Sequence, residues 1–291
     1  MRHPKCKDKP WDPNLVMAAV RGNLRRALEW IVRRVTARWR GLPHVYIAGP
    51  KKGGTTSLFR YLLAHPRVCA PFRKEIKFYN YHYYLGERWY RANFSRASRG
   101  ERCLFLDATP DYFMYPCFPV RLMQTTPQAK VIVLLRDPTQ RILSHYFHNR
   151  RLGIEPFTLA EALALESKRL EKEGALCDDP CVNPWTYHRY GYVTESKYYV
   201  HLERLWRYVP REQTLVLRSE DFFAHPREVA HQVAKFLEIE PWETEWQPYN
   251  VGQYTLSDME QSVARELRIY FRPHNQRLYA LLGRDLGWED A

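Results

Sequence analysis

The stretch that most constrains this chain is His44-Val45-Tyr46-Ile47-Ala48-Gly49-Pro50-Lys51-Lys52-Gly53-Gly54-Thr55-Thr56-Ser57-Leu58. Residues 45–48 are apolar and partly β-branched, which reads as a buried strand. Leu58, Tyr61, Leu62 and Leu63 then recur at helical spacing. A strand, a tight glycine turn and a helix N-terminus together make an anion site. The free N–H groups of the helix's first turn and the positive end of its dipole converge on the loop. Gly53 and Gly54 let the backbone approach an oxygen cluster that a Cβ would block.

The spelling narrows the reading. Gly49 and Gly54 have P-loop spacing, but Thr55 stands where a nucleotide triphosphatase carries its lysine. The lysine here is Lys52, inside the loop. It is better placed to grip one phosphate and its leaving group than to bridge two phosphates through magnesium. Many strand–glycine–helix turns serve packing alone; Lys-Gly-Gly-Thr-Thr points to phosphate.

Further along, residues 103–107, 130–135 and 214–218 also read as buried strands, with helical patterns between and after them. The pattern predicts helices near 158–173, 194–208, 226–238, 258–271 and 273–282, with Pro138 at a first helical position. Buried strands alternating with helices imply an α/β fold: a P-loop-like three-layer arrangement, its central parallel sheet flanked by helices. At 291 residues the chain can bury a sizeable core.

Charge separates an arm from a body. Residues 1–43 carry 11 Lys+Arg and 3 Asp+Glu, so +8 of the net +13 lies there. Val20, Leu24, Leu28, Ile31 and Val35 form a stripe at helical spacing, with arginines elsewhere around the helix. The expected organisation is a basic amphipathic helical arm over 1–43 and one domain over 44–291. The arm reads either as a helix packed on the body with a solvated arginine face, or as a surface for anionic membrane or polymer. No run of about 18 apolar residues offers a membrane span and no apolar h-region follows the first lysines. Cytoplasm is therefore expected ahead of a Golgi lumen, which an anchor outside this sequence would allow. Cys177 and Cys181 are a disulfide loop or two free thiols, and a zinc site would need ligands beyond His188.

In an open parallel sheet the ligand lies beyond the carboxyl ends of the strands. Three polar clusters fall there: the Lys52 loop, Asp107 to Thr109, and Arg136-Asp137-Pro138-Thr139-Gln140-Arg141-Ile142-Leu143-Ser144-His145-Tyr146. Arg136 at the strand end and Ser144 two turns along the next helix can hold a second phosphate; the plainer alternative pairs Arg136 with Asp137 or another carboxylate. Arg136 also stands where a magnesium-binding strand would end in Asp.

These two motifs resemble those of the sulfotransferases that use 3′-phosphoadenosine 5′-phosphosulfate (PAPS). Lys52-Gly53-Gly54-Thr55-Thr56-Ser57-Leu58 is similar to their 5′-phosphosulfate loop, and Arg136…Arg141…Ser144…Tyr146 to their 3′-phosphate motif. Glu75-Ile76-Lys77-Phe78-Tyr79, Thr109-Pro110-Asp111-Tyr112-Phe113, Arg218-Ser219-Glu220-Asp221-Phe222 and Arg272-Pro273-His274-Asn275 resemble the heparan sulfate and related carbohydrate branch.

The resemblance implies sulfuryl transfer from PAPS to a hydroxyl or amino group of a glycosaminoglycan-like acceptor, acidic or neutral, with no metal and no nucleic acid. It implies that Lys52 stabilises the departing phosphate oxygen, and that Gly53, Gly54, Thr55, Thr56 and Ser57 hold the 5′-phosphate. Arg136 and Ser144 would take the 3′-phosphate and a loop containing Gly252 and Gln253 would contact the nucleotide. Glu75 corresponds to the general base, and Arg73, Lys77 and His82 are candidate acceptor contacts. The plainer reading of Glu75 is a surface ion pair; His82 and His145 are spare base candidates. Lys77 stands where heparan members often have His, and Ala108 where they often have Lys. A P-loop nucleotide kinase or hydrolase, a sulfotransferase acting on a non-carbohydrate small molecule, and a non-catalytic polyanion binder are the other readings.

Overall fold

The computed structural model describes residues 24–96, 103–171, 185–246, 249 and 254–289. Its centre is a parallel sheet of β1 (Val45–Gly49), β2 (Val68–Cys69), β3 (Leu104–Ala108), β4 (Lys130–Leu135) and β5 (Thr214–Arg218), in the order β2-β3-β1-β4-β5. Val45 pairs with both Leu106 and Lys130, which sets β1 between β3 and β4. The chain winds out to β2, returns through β3, then crosses to β4 and β5. That reversal opens a crevice beyond the carboxyl end of β1.

Alternation along β1 builds three layers. Tyr46 and Ala48 face an aromatic-rich core with Tyr79, Tyr90, Tyr112 and Phe118. Val45 and Ile47 face the opposite side, against Leu58, Leu62, Val229 and Val233.

The helices are α1 (Leu24–Val35), α2 (Thr55–Leu63), α3 (Gly86–Arg91), α4 (Phe118–Thr125), α5 (Pro138–Arg151), α6 (Leu159–Ala164) and α7 (Glu166–Glu171). They continue as α8 (Trp185–Tyr190), α9 (Tyr192–Ser196), α10 (Tyr198–Trp206), α11 (Ser219–Ala224), α12 (Pro226–Leu237) and α13 (Asp258–Leu282).

Several boundaries differ from the sequence pattern. β2 has two residues, too few for a period to show. The 158–173 pattern divides into α6 and α7, and the 194–208 pattern into α9 and α10, broken at Lys197 (φ −80°, ψ 65°). Pro273 does not end a helix but sits inside α13. Leu267, Phe271, Asn275 and Leu278 bury one continuous face across it, and that packing outweighs the missing N–H rung.

Cys69 and Cys103 are joined by a disulfide across the β2–β3 edge, 34 positions apart in sequence. Cys177 and Cys181 lie outside the described residues, as do Gly252, Gln253 and residues 1–23 of the arm. Among the described residues no helix is long and apolar enough to cross a membrane.

In the described part of the arm Arg26, Arg34 and Arg38 are exposed, but the apolar stripe is not buried beneath them. α1 does pack on the body, with Trp30 edge-on to Trp89 at 6.0 Å and Arg33 over the Phe72 ring at 3.6 Å. The side turned outward is the apolar one: Leu28, Ile31, Val32 and Val35 are exposed, as is Trp39 just beyond.

Candidate active site

The anion loop is shaped by contacts that leave no room for other residues. A Cβ on Gly53 would lie 2.4 Å from the carbonyl oxygen of Leu134, and Gly54 has φ +95°. Gly54 begins α2 without a side-chain cap, so the first-turn N–H groups point into the crevice unshielded. Ser219 Oγ donates to the Gly53 carbonyl at 2.8 Å, tying the loop to the start of α11.

Lys52, Gly54, Thr55, Thr56, Glu75, Arg136 and Ser144 all line one cavity of about 670 Å³. Gly53 and Ser57 do not reach its wall: Gly53 is buried under the loop, and Ser57 bonds with the backbone of Tyr249. Asp137 caps α5 by accepting from the Gln140 N–H at 2.7 Å. That settles one alternative, because Arg136 has no carboxylate partner among the described residues. Its Nη1 instead donates to the Lys52 carbonyl at 3.3 Å, linking the Lys52 loop to the segment that opens α5.

Positive charge crowds this wall. Burial, followed by the charges of Arg151, Lys51 and Arg136, brings the Lys52 ammonium down to about 8. Burial also lowers Lys51, whose ammonium donates to the His188 carbonyl. An arrangement that holds cations together at this cost is complementary to an anion.

Glu75 does form the ion pair of the plainer reading, 3.2 Å from Lys74 Nζ, yet it also faces the cavity. Lys74 Nζ in turn donates to Thr56 Oγ1 at 3.0 Å, joining the Glu75 segment to α2. Lys52, Glu75 and Lys77 are three of the four non-glycine residues with positive φ among the described residues, at 66°, 59° and 57°. Each such conformation costs about 1–3 kcal/mol and persists where surrounding structure enforces it.

Behind Glu75 lies a closed polar core. Asp107 is fully buried and accepts from Tyr90 (2.7 Å), Thr109 (2.8 Å) and Tyr112 (3.0 Å). Burial pushes its carboxyl up to about 6 against those hydrogen bonds.

The remaining expected residues scatter. Lys77 pairs with Asp111 at 3.4 Å, while Arg73 is exposed and off the cavity wall. His82 packs against Trp89 at 4.8 Å between ring centres and also lies off the wall. His145 is fully buried, off the wall, with neither ring nitrogen hydrogen-bonded.

A pair the sequence did not single out stands in the wall instead: His188 Nδ1 lies 2.6 Å from Asp111 Oδ1. Burial opposes ionisation of Asp111, but His188, Lys51 and Lys77 hold its carboxyl well below the usual range. His188 sits on α8, beside a Cys- and Pro-rich stretch that reads as loop, so nothing in the local pattern marks it.

The sulfotransferase domain family matches residues 42–261. The chain belongs to this family. It is a sulfotransferase with the central parallel sheet and flanking helices of that fold. Its sequence is 28% identical to the membrane-associated sulfotransferase kil1 of Dictyostelium discoideum, over 86% of this chain and 67% of that protein. It is 29% identical to the heparan sulfate glucosamine 3-O-sulfotransferase 3B1 of Mus musculus, over 85% and 65%. The sulfotransferase thus spans about two thirds of the length of these relatives. Among solved structures, a sulfotransferase from Alicyclobacillus acidocaldarius is 26% identical with a TM-score of 0.68, covering 86% of this chain and all of that one.

Proposed function

We propose that this sulfotransferase moves the sulfuryl group of PAPS to a hydroxyl or amino group of a carbohydrate, by in-line displacement. The observation that carries the reading is one cavity lined by Lys52, Thr55 and Thr56 and also by Arg136 and Ser144. Two anion-binding groups bridged by the Arg136–Lys52 hydrogen bond fit a nucleotide with phosphates on both 3′ and 5′ oxygens.

In this reading Arg136 and Ser144 hold the 3′-phosphate, and the first turn of α2 holds the 5′-phosphate. Glu75 takes the proton from the acceptor as its oxygen or nitrogen bonds to sulfur. Lys52 stabilises the charge left on the phosphate oxygen as the sulfur–oxygen bond breaks, an effect larger in the transition state than before it. At the end of β4 Arg136 stands in place of a carboxylate and Asp137 is committed to capping α5, which counts against a magnesium-dependent kinase. A glycosaminoglycan-like acceptor is supported by the heparan sulfate relatives. The Cys69–Cys103 bond favours a compartment that keeps thiols oxidised over the cytoplasm.

A thermal-shift comparison tests the donor. Adenosine 3′,5′-bisphosphate at about a hundred times its Kd adds roughly 2.7 kcal/mol, or several degrees. Stabilisation by this ligand and not by ADP or Mg-ATP is the expected result; the reverse would overturn it. The acceptor is tested by transfer of labelled sulfate to glycosaminoglycan and small-alcohol panels.

A further inference from the structure

We propose that α1 and the turn after it form a lipid-docking surface for anionic bilayers. The usual surface helix turns its apolar stripe to the core and its charges to water. α1 instead leaves its apolar stripe in water beside the exposed Arg26, Glu29 and Arg34, and its orientation is fixed. Trp30, Arg33, Thr36, Ala37 and Arg40 form the inward side. Trp30 meets Trp89, Arg33 covers Phe72, and Arg40 Nη1 donates to the Phe94 carbonyl at 2.8 Å. Arg91 Nη1 returns a bond to the Arg40 carbonyl at 2.7 Å.

The outward side carries Leu28, Ile31, Val32, Val35 and Trp39, at i, i+3, i+4, i+7 and i+11. Each is 53–64% exposed, which makes a continuous apolar ridge rather than scattered surface residues. Arg34 and Arg38 are exposed along one edge of that ridge, and Arg38 stacks on Trp39 at 4.1 Å.

That combination selects the occupant. A polyanionic polymer would read the arginines and gain nothing from the ridge. A bilayer surface takes both, with aliphatic side chains entering the acyl boundary, Trp39 at the headgroup level and arginines on the phosphates. The +8 charge of residues 1–43 adds attraction of the same sign. The body side of α1 rests on Phe72 and Trp89, which bracket the segment bearing Glu75 and Lys77, so a docked enzyme would hold its acceptor segment next to the membrane.

The test is co-sedimentation of the full chain with vesicles of phosphatidylcholine alone, and of phosphatidylcholine with 30% phosphatidylglycerol, an order-of-magnitude choice for an anionic surface. Binding to the anionic vesicles is expected. The Leu28→Ser, Ile31→Ser, Val35→Ser triple variant should lower partition at least about tenfold at low and high salt alike. The Arg34→Gln, Arg38→Gln variant should lower it at low salt only. Unchanged thermal shift with adenosine 3′,5′-bisphosphate checks that both variants remain folded. The proposal is overturned by any of three results. One is no vesicle binding by the full chain. Another is binding insensitive to the triple variant. The third is a concentration-dependent dimer in light scattering that the triple variant abolishes, since a second copy would then cover the ridge.

Discussion

Arg141 and Glu195 form an ion pair, Nη1 to Oε2 3.0 Å, with both side chains fully withdrawn from solvent. The other Glu195 oxygen accepts the Lys51 N–H at 3.1 Å, so one carboxylate fastens the anion loop to α5 and α9. Removing one partner of a buried pair leaves an uncompensated charge and costs about 3–5 kcal/mol. Glu195→Ala should therefore lower the midpoint of thermal unfolding by roughly 10 °C. It should also weaken adenosine 3′,5′-bisphosphate binding, because the loop loses an anchor. Denaturant melts and calorimetry check both; a stability loss under about 1 kcal/mol would mean the pair is not the anchor.

Arg136 and Ser144 are expected to read the 3′-phosphate. Arg136→Ala should weaken adenosine 3′,5′-bisphosphate at least about tenfold, and Ser144→Ala somewhat less, as charge-assisted bonds exceed neutral ones. Affinity for adenosine 5′-phosphate should stay within about twofold. Titration calorimetry with the two nucleotides separates the outcomes, and equal losses for both would reassign the residues to general electrostatics.

Lys52, brought down to about 8 by burial and neighbouring cations, gives binding a pH dependence. A bound anion raises the ammonium's pKa above that of the free site. The protonated lysine's contribution to affinity is thus complete below pH 8 and lost as pH rises through it. The Kd of adenosine 3′,5′-bisphosphate should rise by up to about tenfold per pH unit above 8. Lys52→Ala should flatten that slope and cut transfer at least about a hundredfold. A slope unchanged in the variant would place the titrating group elsewhere.

Glu75→Gln keeps the shape of the side chain and removes its basicity. It should lower kcat by at least about a hundredfold while leaving donor affinity near its original value. His188→Asn in parallel distinguishes the two wall residues. If it, rather than Glu75→Gln, abolishes turnover, the Asp111–His188 pair is the base.

How much of this was legible in the sequence follows the range of the interactions involved. The strand, turn and first helix of the anion loop are local, so the spelling of residues 44–58 was enough to locate them. Arg136 stands between the end of β4 and the cap of α5, and Ser144 lies two turns along that helix, so one short segment of sequence places both. His188 is held in the same wall by Asp111 and Lys51, both far away in the chain. Glu195 braces the loop behind that wall through Arg141 and Lys51. No periodicity records contacts of that kind. Pro273 misled for the opposite reason: a strong local signal gave way to burial of one continuous face along α13.

The Cys69–Cys103 bond has one further consequence. Residues 70–102, which include Glu75, Lys77 and the ring of Trp89 on which α1 rests, form a covalent ring of the chain. A protease that cuts once inside this span leaves both fragments attached, and they separate on a denaturing gel only after reduction. The carboxylate assigned to proton removal is therefore carried on a tethered loop, one that backbone cleavage alone does not release from the sheet.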